Sequence, residues 1–219
     1  MRIVAVADTH LFHRDLVVPD GDVFVHAGDM CRGGDLVELR AAAGWINSLP
    51  HRHKVIVAGN HDWAFAREPA AARAMFPGAH YLEDAEVTID GVRFYGSPWQ
   101  PEFCGWAFNL HRGPDLAAVW AKIPRGLDVL VTHGPPEGFG DRTSETSRAG
   151  CTDLRLRVAE VKPRLHLFGH IHQDGGAWRE GATLFANVTT WECARAATVF
   201  DLDASAVSAV VVPPRDSEV

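Results

Sequence analysis

The chain has 219 residues, 47% hydrophobic and 22% charged, which is enough apolar material to bury a full core as one domain. Its formal net charge of −7 argues against a sequence-independent nucleic-acid binder, whose affinity comes mainly from Lys and Arg neutralising backbone phosphates, but leaves a small anionic substrate open. Cys31, Cys104, Cys151 and Cys193 are widely scattered, without the close pairs of a zinc ribbon or the density of a disulfide-stapled domain, and are read as reduced thiols.

Met1-Arg2 leads straight into the apolar run Ile3–Ala7, with no signal-peptide pattern, and no apolar stretch approaches the roughly 20 residues of a membrane-spanning helix. A soluble, cytoplasmic protein is expected. Ile3–Ala7 reads as a strand and delivers Asp8-Thr9-His10 at its end; Val23–His26 delivers Gly28-Asp29; Lys54–Ala58 delivers Gly59-Asn60-His61-Asp62. Helical stretches separate them, around Asp35–Leu49 and Trp63–Phe76, with Pro50 and Pro77 marking their ends. The middle changes character, because Val87–Ile89 and Val92–Tyr95 flank Asp90-Gly91, a strong type I′ hairpin signal. Helix Asp115–Lys122, strand Val129–Thr132 with His133-Gly134 behind it, helix Cys151–Val161, and strand Leu165–Phe168 with Gly169-His170-Ile171-His172 follow. Thr183–Ala186, Ala196–Leu202 and Ala206–Val212 read as a strand meander. Two packed mixed sheets flanked by helices accommodate both patterns, as one domain over 1–212 with a tail at 213–219.

Each of the five strand ends carries metal-capable side chains, where loops of an α/β sheet usually hold the site. Carboxylate, amide oxygen and imidazole together suit borderline divalent cations: Mn²⁺ foremost, with Fe²⁺, Co²⁺, Zn²⁺ or Ni²⁺ admissible. A carboxylate can bridge a pair of cations about 3.5–4 Å apart, and Asp29 is the natural candidate. Glycines beside these residues permit tight turns and close backbone approach.

The ordered series Asp-x-His, Gly-Asp, Gly-Asn-His-Asp, a lone His and Gly-His-x-His, spanning residues 8 to 172, resembles the calcineurin-like metallophosphoesterase superfamily. That resemblance implies an αββα sandwich and a two-metal phosphoric ester hydrolase. It implies Asp8, His10, Asp29 and His172 around one metal, and Asp29, Asn60, His133 and His170 around the other. His61 falls where the family keeps a histidine that contacts substrate phosphate and protonates the leaving group. Asp62 either orients that region, or is a carboxylate that supports the ligands from behind or caps the helix beginning near Trp63. Gly96-Ser97-Pro98-Trp99-Gln100-Pro101, Phe103–Asn109 and His133-Gly134-Pro135-Pro136 with Gly140-Asp141-Arg142 are similar to the metallophosphoesterase-domain-containing subfamily. That likeness implies a small phosphodiester substrate, cyclic nucleotides among them and 2′,3′-cyclic ahead of 3′,5′-cyclic. Some members of that subfamily have Gly at the last histidine of Gly-His-x-His; this chain keeps His172, which implies fuller double-metal occupancy. His111 stands where the pattern has proline.

Other readings of the same residues stay open. The fold also serves phosphomonoesterases, protein phosphatases and non-catalytic scaffolds. Trp99 to Phe108 reads as core packing or as a base-stacking surface. Arg142, and beside it Arg148, reads as a phosphate clamp or as a solvated loop arginine. His13, His51, His53 and His80 are expected in solvent, and His26 and His166 as hydrogen-bonded groups within strands. No membrane or long nucleic-acid partner is expected.

Overall fold

Strand β1 (Arg2–Val6) places Ile3 and Ala5 on one face and Val4 and Val6 on the other, and all four are fully buried. A strand buried on both faces needs a covering layer on each side. The computed structural model describes residues 1–143, 147–204 and 206–213 and supplies those layers. The further strands are β2 (Val23–Ala27), β3 (His53–Val57), β4 (His80–Tyr81), β5 (Ala85–Ile89), β6 (Val92–Ser97), β7 (Gln100–Pro101) and β8 (Asn109–Leu110). They continue with β9 (Val129–Thr132), β10 (Leu165–Phe168), β11 (Gly176–Glu180), β12 (Thr183–Asn187), β13 (Thr198–Leu202) and β14 (Val207–Val211). One six-stranded sheet runs β14-β13-β1-β2-β3-β4 and the other β11-β12-β10-β9-β6-β5, while β7 and β8 form a separate short pair. Both large sheets are mixed: β1, β2, β3 and β4 pair in parallel, as do β6, β9, β10 and β12, with antiparallel strands at the margins.

The inner faces of the sheets meet in one apolar layer, in which Ile3, Val25 and Val57 pack with Phe94, Val131 and Leu167. Outside the first sheet, Val4, Val6 and Ile56 pack with α1 (Leu36–Ser48), α2 (Trp63–Arg67) and α3 (Pro69–Ala74). Outside the second, Tyr95, Leu130 and Phe185 pack with α4 (Pro114–Trp120) and α5 (Thr152–Val161). The result is the expected αββα sandwich.

Local chemistry explains most boundaries. Asp35 caps α1, accepting from the amides of Val37 and Glu38 at 2.9 Å. Asp90 and Gly91 have φ of +47° and +83°, the left-handed pair that a type I′ turn requires. The single helix expected over Trp63–Phe76 is instead two, because Pro69 has no N–H to donate and forces Glu68 out of the helical region, to φ −135°. Strands β4, β7 and β8 have two residues each, too short for a period to register, and β11 has no counterpart among the strands expected from sequence. The tail expected at 213–219 lies, from 214 on, outside the described residues. No helix among the described residues is long and apolar enough to cross a membrane.

Trp120 anchors the outer layer of the second sheet. It is 1% exposed, and its indole N–H donates to the Cys151 sulfur at 3.4 Å. Trp120→Ala is expected to cost about 3–5 kcal/mol of unfolding free energy in a denaturant titration, because the cavity left behind relaxes only in part. An unchanged unfolding midpoint would show that the α4 and α5 layer adds nothing to stability.

Candidate metal centre

The parallel strands β1, β2 and β3 of one sheet and β9 and β10 of the other end at a common cleft, and the residues just past those ends fill it. Asp8, His10, Asp29 and His170 have φ of +56°, +43°, +57° and +70°. Non-glycine residues in this region cost on the order of 1 kcal/mol or more each, and such strain persists only where surrounding contacts over-determine it. Here the amides of Asp8, His10 and Leu11 donate to the carbonyls of Gly28, Asp29 and Met30 at 3.0–3.1 Å, zipping the β1 loop to the β2 loop. The sharp reversals turn the side chains inward. Glycines make room: a β-carbon at Gly28, itself at φ +102°, would run into the His133 ring, and one at Gly59 would strike the Asp29 carboxylate.

Three trios of donor atoms lie mutually within 4.8 Å: Asp8, His10 and His172; His10, Asp29 and His61; and Asp29, His133 and His170. Asp29 belongs to two of them. Its Oδ2 is 3.8 Å from His10 Nε2 on one side and 3.4 Å from His133 Nε2 on the other. His172 Nε2 is 3.7 Å from Asp8 Oδ1, and the Asn60 side-chain oxygen is 2.9 Å from His133 Nε2. The ring tautomers follow from the second layer of contacts. His10 Nδ1 faces the Cys31 carbonyl at 2.8 Å and His133 Nδ1 the Ala27 carbonyl at 3.0 Å. A carbonyl only accepts, so each Nδ1 carries a proton and each Nε2 is the nitrogen turned to the cleft, where loss of its proton would give a cation a lone pair.

Asp8, Asp29 and His133 are almost wholly buried. Burial alone would raise both carboxyls, but the charge and hydrogen bond of His172 on Asp8, and of His133 on Asp29, hold them well below the usual range. Burial likewise opposes charge on His133, yet Asp29 draws its pKa upward. The protein's own imidazoles are being asked to supply positive charge, a demand that a divalent cation meets directly. Carboxylate, amide and imidazole donors at these spacings fit such a cation.

Asp62 is fully buried and sits at the start of α2 without capping it. Its carboxylate instead accepts the amides of Gly59 at 2.8 Å, Cys31 at 3.0 Å and Met30 at 3.3 Å. Of the readings open in the sequence, the helix cap is not the one adopted: the carboxylate stands behind the cleft and ties the β2 and β3 loops together. Burial, reinforced by the charge of Asp29, pushes its pKa up to about 6.

His61 projects at the mouth of the cleft. Its amide donates to Asp29 Oδ1 at 2.8 Å, its Nδ1 lies 2.5 Å from the Arg32 carbonyl, and its ring packs on Trp106 with centroids 4.0 Å apart. The cleft has a volume of about 290 Å³ and is lined by residues from this centre together with Phe103, Thr143, Ala149, Ile171 and Gln173. The aromatic segment divides between its two readings. Trp99, Ala107 and Phe108 join the core behind β1, whereas Phe103 stays 54% exposed with its ring 6.0 Å from that of His170.

All seven candidate ligands and His61 thus converge. Arg142 does not: its side chain is exposed and absent from the cleft lining, and its amide donates to Asp174 at 3.0 Å. Arg148 is occupied by Asp141, 2.5 Å away. His26 and His166 are fully buried and hydrogen-bonded to the hydroxyls of Thr9 and Thr132, both at 2.9 Å. His13 and His51, expected in solvent, are buried: His13 stacks on Trp45 at 4.7 Å, and His51 Nε2 reaches the Pro19 carbonyl at 3.0 Å. His53 and His80 are half-buried. Polar sequence neighbours do not reveal this, because burial of a loop histidine depends on what packs against it from elsewhere in the chain, here Trp45 on His13 and Phe24 on His51. His111 pairs with Glu102 at 2.7 Å on the surface.

Two facing mixed sheets, with carboxylates and imidazoles gathered at their parallel strand ends, define an αββα protein built around a metal centre. The chain belongs to the calcineurin-like phosphoesterase family, whose model matches residues 1–174. It is 40% identical over 213 residues to metallophosphoesterase domain-containing protein 1 of Homo sapiens, a match covering 86% of this chain and 65% of that protein. The chain therefore spans just under two thirds of that relative's length. Among solved structures, TT1561 of Thermus thermophilus superposes with a TM-score of 0.65 at 14% identity, covering 95% of this chain and 97% of that one. A structure described as a novel archaeal phosphodiesterase superposes with a TM-score of 0.53 at 12% identity, covering 97% and 100%. At such identities the likeness concerns the fold alone.

Proposed function

We propose that the protein is a metal-dependent hydrolase of small phosphodiesters that works with a pair of divalent cations sharing Asp29. Asp8, His10, Asp29 and His172 would hold one, and Asp29, Asn60, His133 and His170 the other; Mn²⁺ heads the ions this donor set suits. The observation that carries the reading is the position of the Asp29 carboxylate, within 3.8 Å of an imidazole nitrogen on each side. Bound cations would supply the positive charge that polarises a phosphoryl group and activates water at neutral pH.

The chain's own residues do the rest. The Cys31 and Ala27 carbonyls fix which nitrogen of His10 and His133 faces inward. The Arg32 carbonyl holds the Nδ1 proton of His61, so that a protonated ring offers Nε2–H to a leaving oxygen. Asn60 and His61 are the proposed contacts to the substrate phosphate. Arg142 is left out of that subsite, since it does not line the cleft.

A diester is favoured over a monoester on charge. Among the described residues the cleft is lined by neither Lys nor Arg, so beyond the cations and the His61 ring no side chain offsets the second negative charge of a monoester. A volume of about 290 Å³ suits a small ester, and cyclic nucleotides, 2′,3′-cyclic ahead of 3′,5′-cyclic, are the proposed substrates within that class. That the fold is shared with an archaeal phosphodiesterase agrees with this reading. The test is a panel of initial rates with Mn²⁺: bis-p-nitrophenyl phosphate, p-nitrophenyl phosphate, and 2′,3′- and 3′,5′-cyclic nucleotides. Diesters should exceed the monoester by at least about tenfold in kcat/KM, a difference of about 1.4 kcal/mol. Preference for the monoester would overturn the diester assignment and leave the metal centre standing.

A further inference from the structure

Away from the metal centre, the turn of 3-10 helix at His13–Asp15 packs beside α1 and leaves a surface concavity of about 570 Å³ between them. The basic side chains lining it are His13, Arg14 and Arg40, and no carboxylate lines it. Most arginines of this chain are engaged with a carboxylate, a carbonyl or an aromatic ring, as expected where acids outnumber bases by 28 to 21. Arg14 and Arg40 make no hydrogen bond, ion pair or ring contact with any described residue. The nearest acids in sequence are directed elsewhere. Asp15 is not part of the lining, and Glu38 is used by the amides of Arg32, Gly33 and Gly34 at 2.7–3.0 Å.

His13 supplies a second, independent observation. It is 7% exposed, and its Nδ1 is buried without a hydrogen-bond partner. Nδ1 is closed off from solvent, so Nε2, which likewise has no hydrogen-bond partner among the described residues, is the ring nitrogen that can meet an acceptor from outside beside the two guanidiniums. Trp45 stacks on the same ring, with centroids 4.7 Å apart and planes 16° from parallel, and so fixes its orientation. The helix side of the concavity is kept open by Ala41 and Gly44. Gly44 lies inside α1, where glycine is less stable than alanine, and nothing stands within 4 Å of where its β-carbon would be. Packing does not require a glycine there, whereas an open floor does.

We infer that His13, Arg14 and Arg40 form an anion site, separate from the metal centre, that binds the phosphate group of a small molecule. Two guanidiniums balance a phosphate dianion, their planar forks match its oxygens, and a ring N–H serves a third direction of the tetrahedron. Leu11 and Ala41 beside them offer apolar surface to an organic group on the same phosphate. The site does not depend on the reaction proposed above.

The test is an NMR titration of the Zn²⁺-loaded protein with inorganic phosphate, following the His13 ring nitrogens and the Nε–H groups of Arg14 and Arg40. All three should shift and saturate together. Gly44→Leu, which fills the floor, and the double variant Arg14→Ser/Arg40→Ser should each raise Kd by about tenfold or more. Both should leave phosphate shifts of the cleft histidines His133 and His170 as they are. Phenyl phosphate binding more tightly than inorganic phosphate would identify an organic phosphate as the ligand, and equal affinity would identify free phosphate; either supports the site. Shifts confined to the cleft histidines would overturn it, as would equal shifts with chloride at matched ionic strength or an unaltered Kd in Gly44→Leu. Because Gly44→Leu adds a side chain into open space, it keeps the test decisive even if the double arginine variant folds poorly.

Discussion

Asp29→Asn is expected to empty the metal centre and to lower diester turnover by about a thousandfold or more, the equivalent of several kcal/mol of lost electrostatic stabilisation. Asparagine keeps the volume and the oxygen that accepts the His61 amide, a bond of 2.8 Å, so the β3 loop should hold its shape. What it removes is the charge shared between the His10 and His133 sides. Metal analysis under saturating Mn²⁺ should find about two ions per chain in the wild type, as a shared carboxylate implies, and next to none in the variant. A thermal melt supplies a readout independent of activity. Cation binding to the folded state adds stability by mass action, so a chelator should lower the wild-type melting temperature. The Asp29→Asn variant should melt at the same temperature with or without chelator, because it has little bound metal to lose. A variant that keeps its metal and its activity would remove Asp29 from the shared position.

How much of this centre was legible in sequence depends on the kind of residue. Asp8, His10, Asn60 and His170 could be placed because each closely follows a short apolar run, and strand ends of parallel sheets face one edge. The two sheets themselves were legible in the alternation of parallel-type runs with the Asp90-Gly91 hairpin. The supporting contacts were not. The carbonyls of Ala27 and Cys31 carry no side-chain signal, and the left-handed φ values at Asp8 and Asp29 depend on loops zipped together across sequence. Nor could Phe103 be told from Phe108. Both lie in one aromatic segment, yet one ends 54% exposed over the cleft and the other 6% exposed in the core. The difference is set by Asn60, whose carbonyl takes the Ala107 amide at 3.2 Å and pins the end of the segment against the β3 loop.

The same segment bears on His61, where the second large effect is expected. His61→Ala should leave the bound metal unchanged and lower kcat by about 100- to 10,000-fold for diesters with poor leaving groups, the range typical of a lost general acid. A residue that delivers a proton to the departing oxygen matters most when that oxygen leaves as an unstable alkoxide. For bis-p-nitrophenyl phosphate the phenolate departs readily without a proton, so the loss should shrink to a small part of that for an alkyl or ribosyl leaving group. This contrast separates proton delivery from mere positioning of the phosphate, which would penalise both substrates alike. The geometry favours proton delivery. Trp106 lies against one face of the ring at 4.0 Å, the His10 ring meets it edge-on at 4.8 Å, and the Arg32 carbonyl engages Nδ1, leaving Nε2 as the nitrogen free to act. Trp106→Ala should then behave as a weaker copy of His61→Ala, with the same dependence on leaving group, because it loosens the ring without deleting it. An equal loss across leaving groups in His61→Ala would assign the residue to phosphate binding, and no loss would remove it from the reaction.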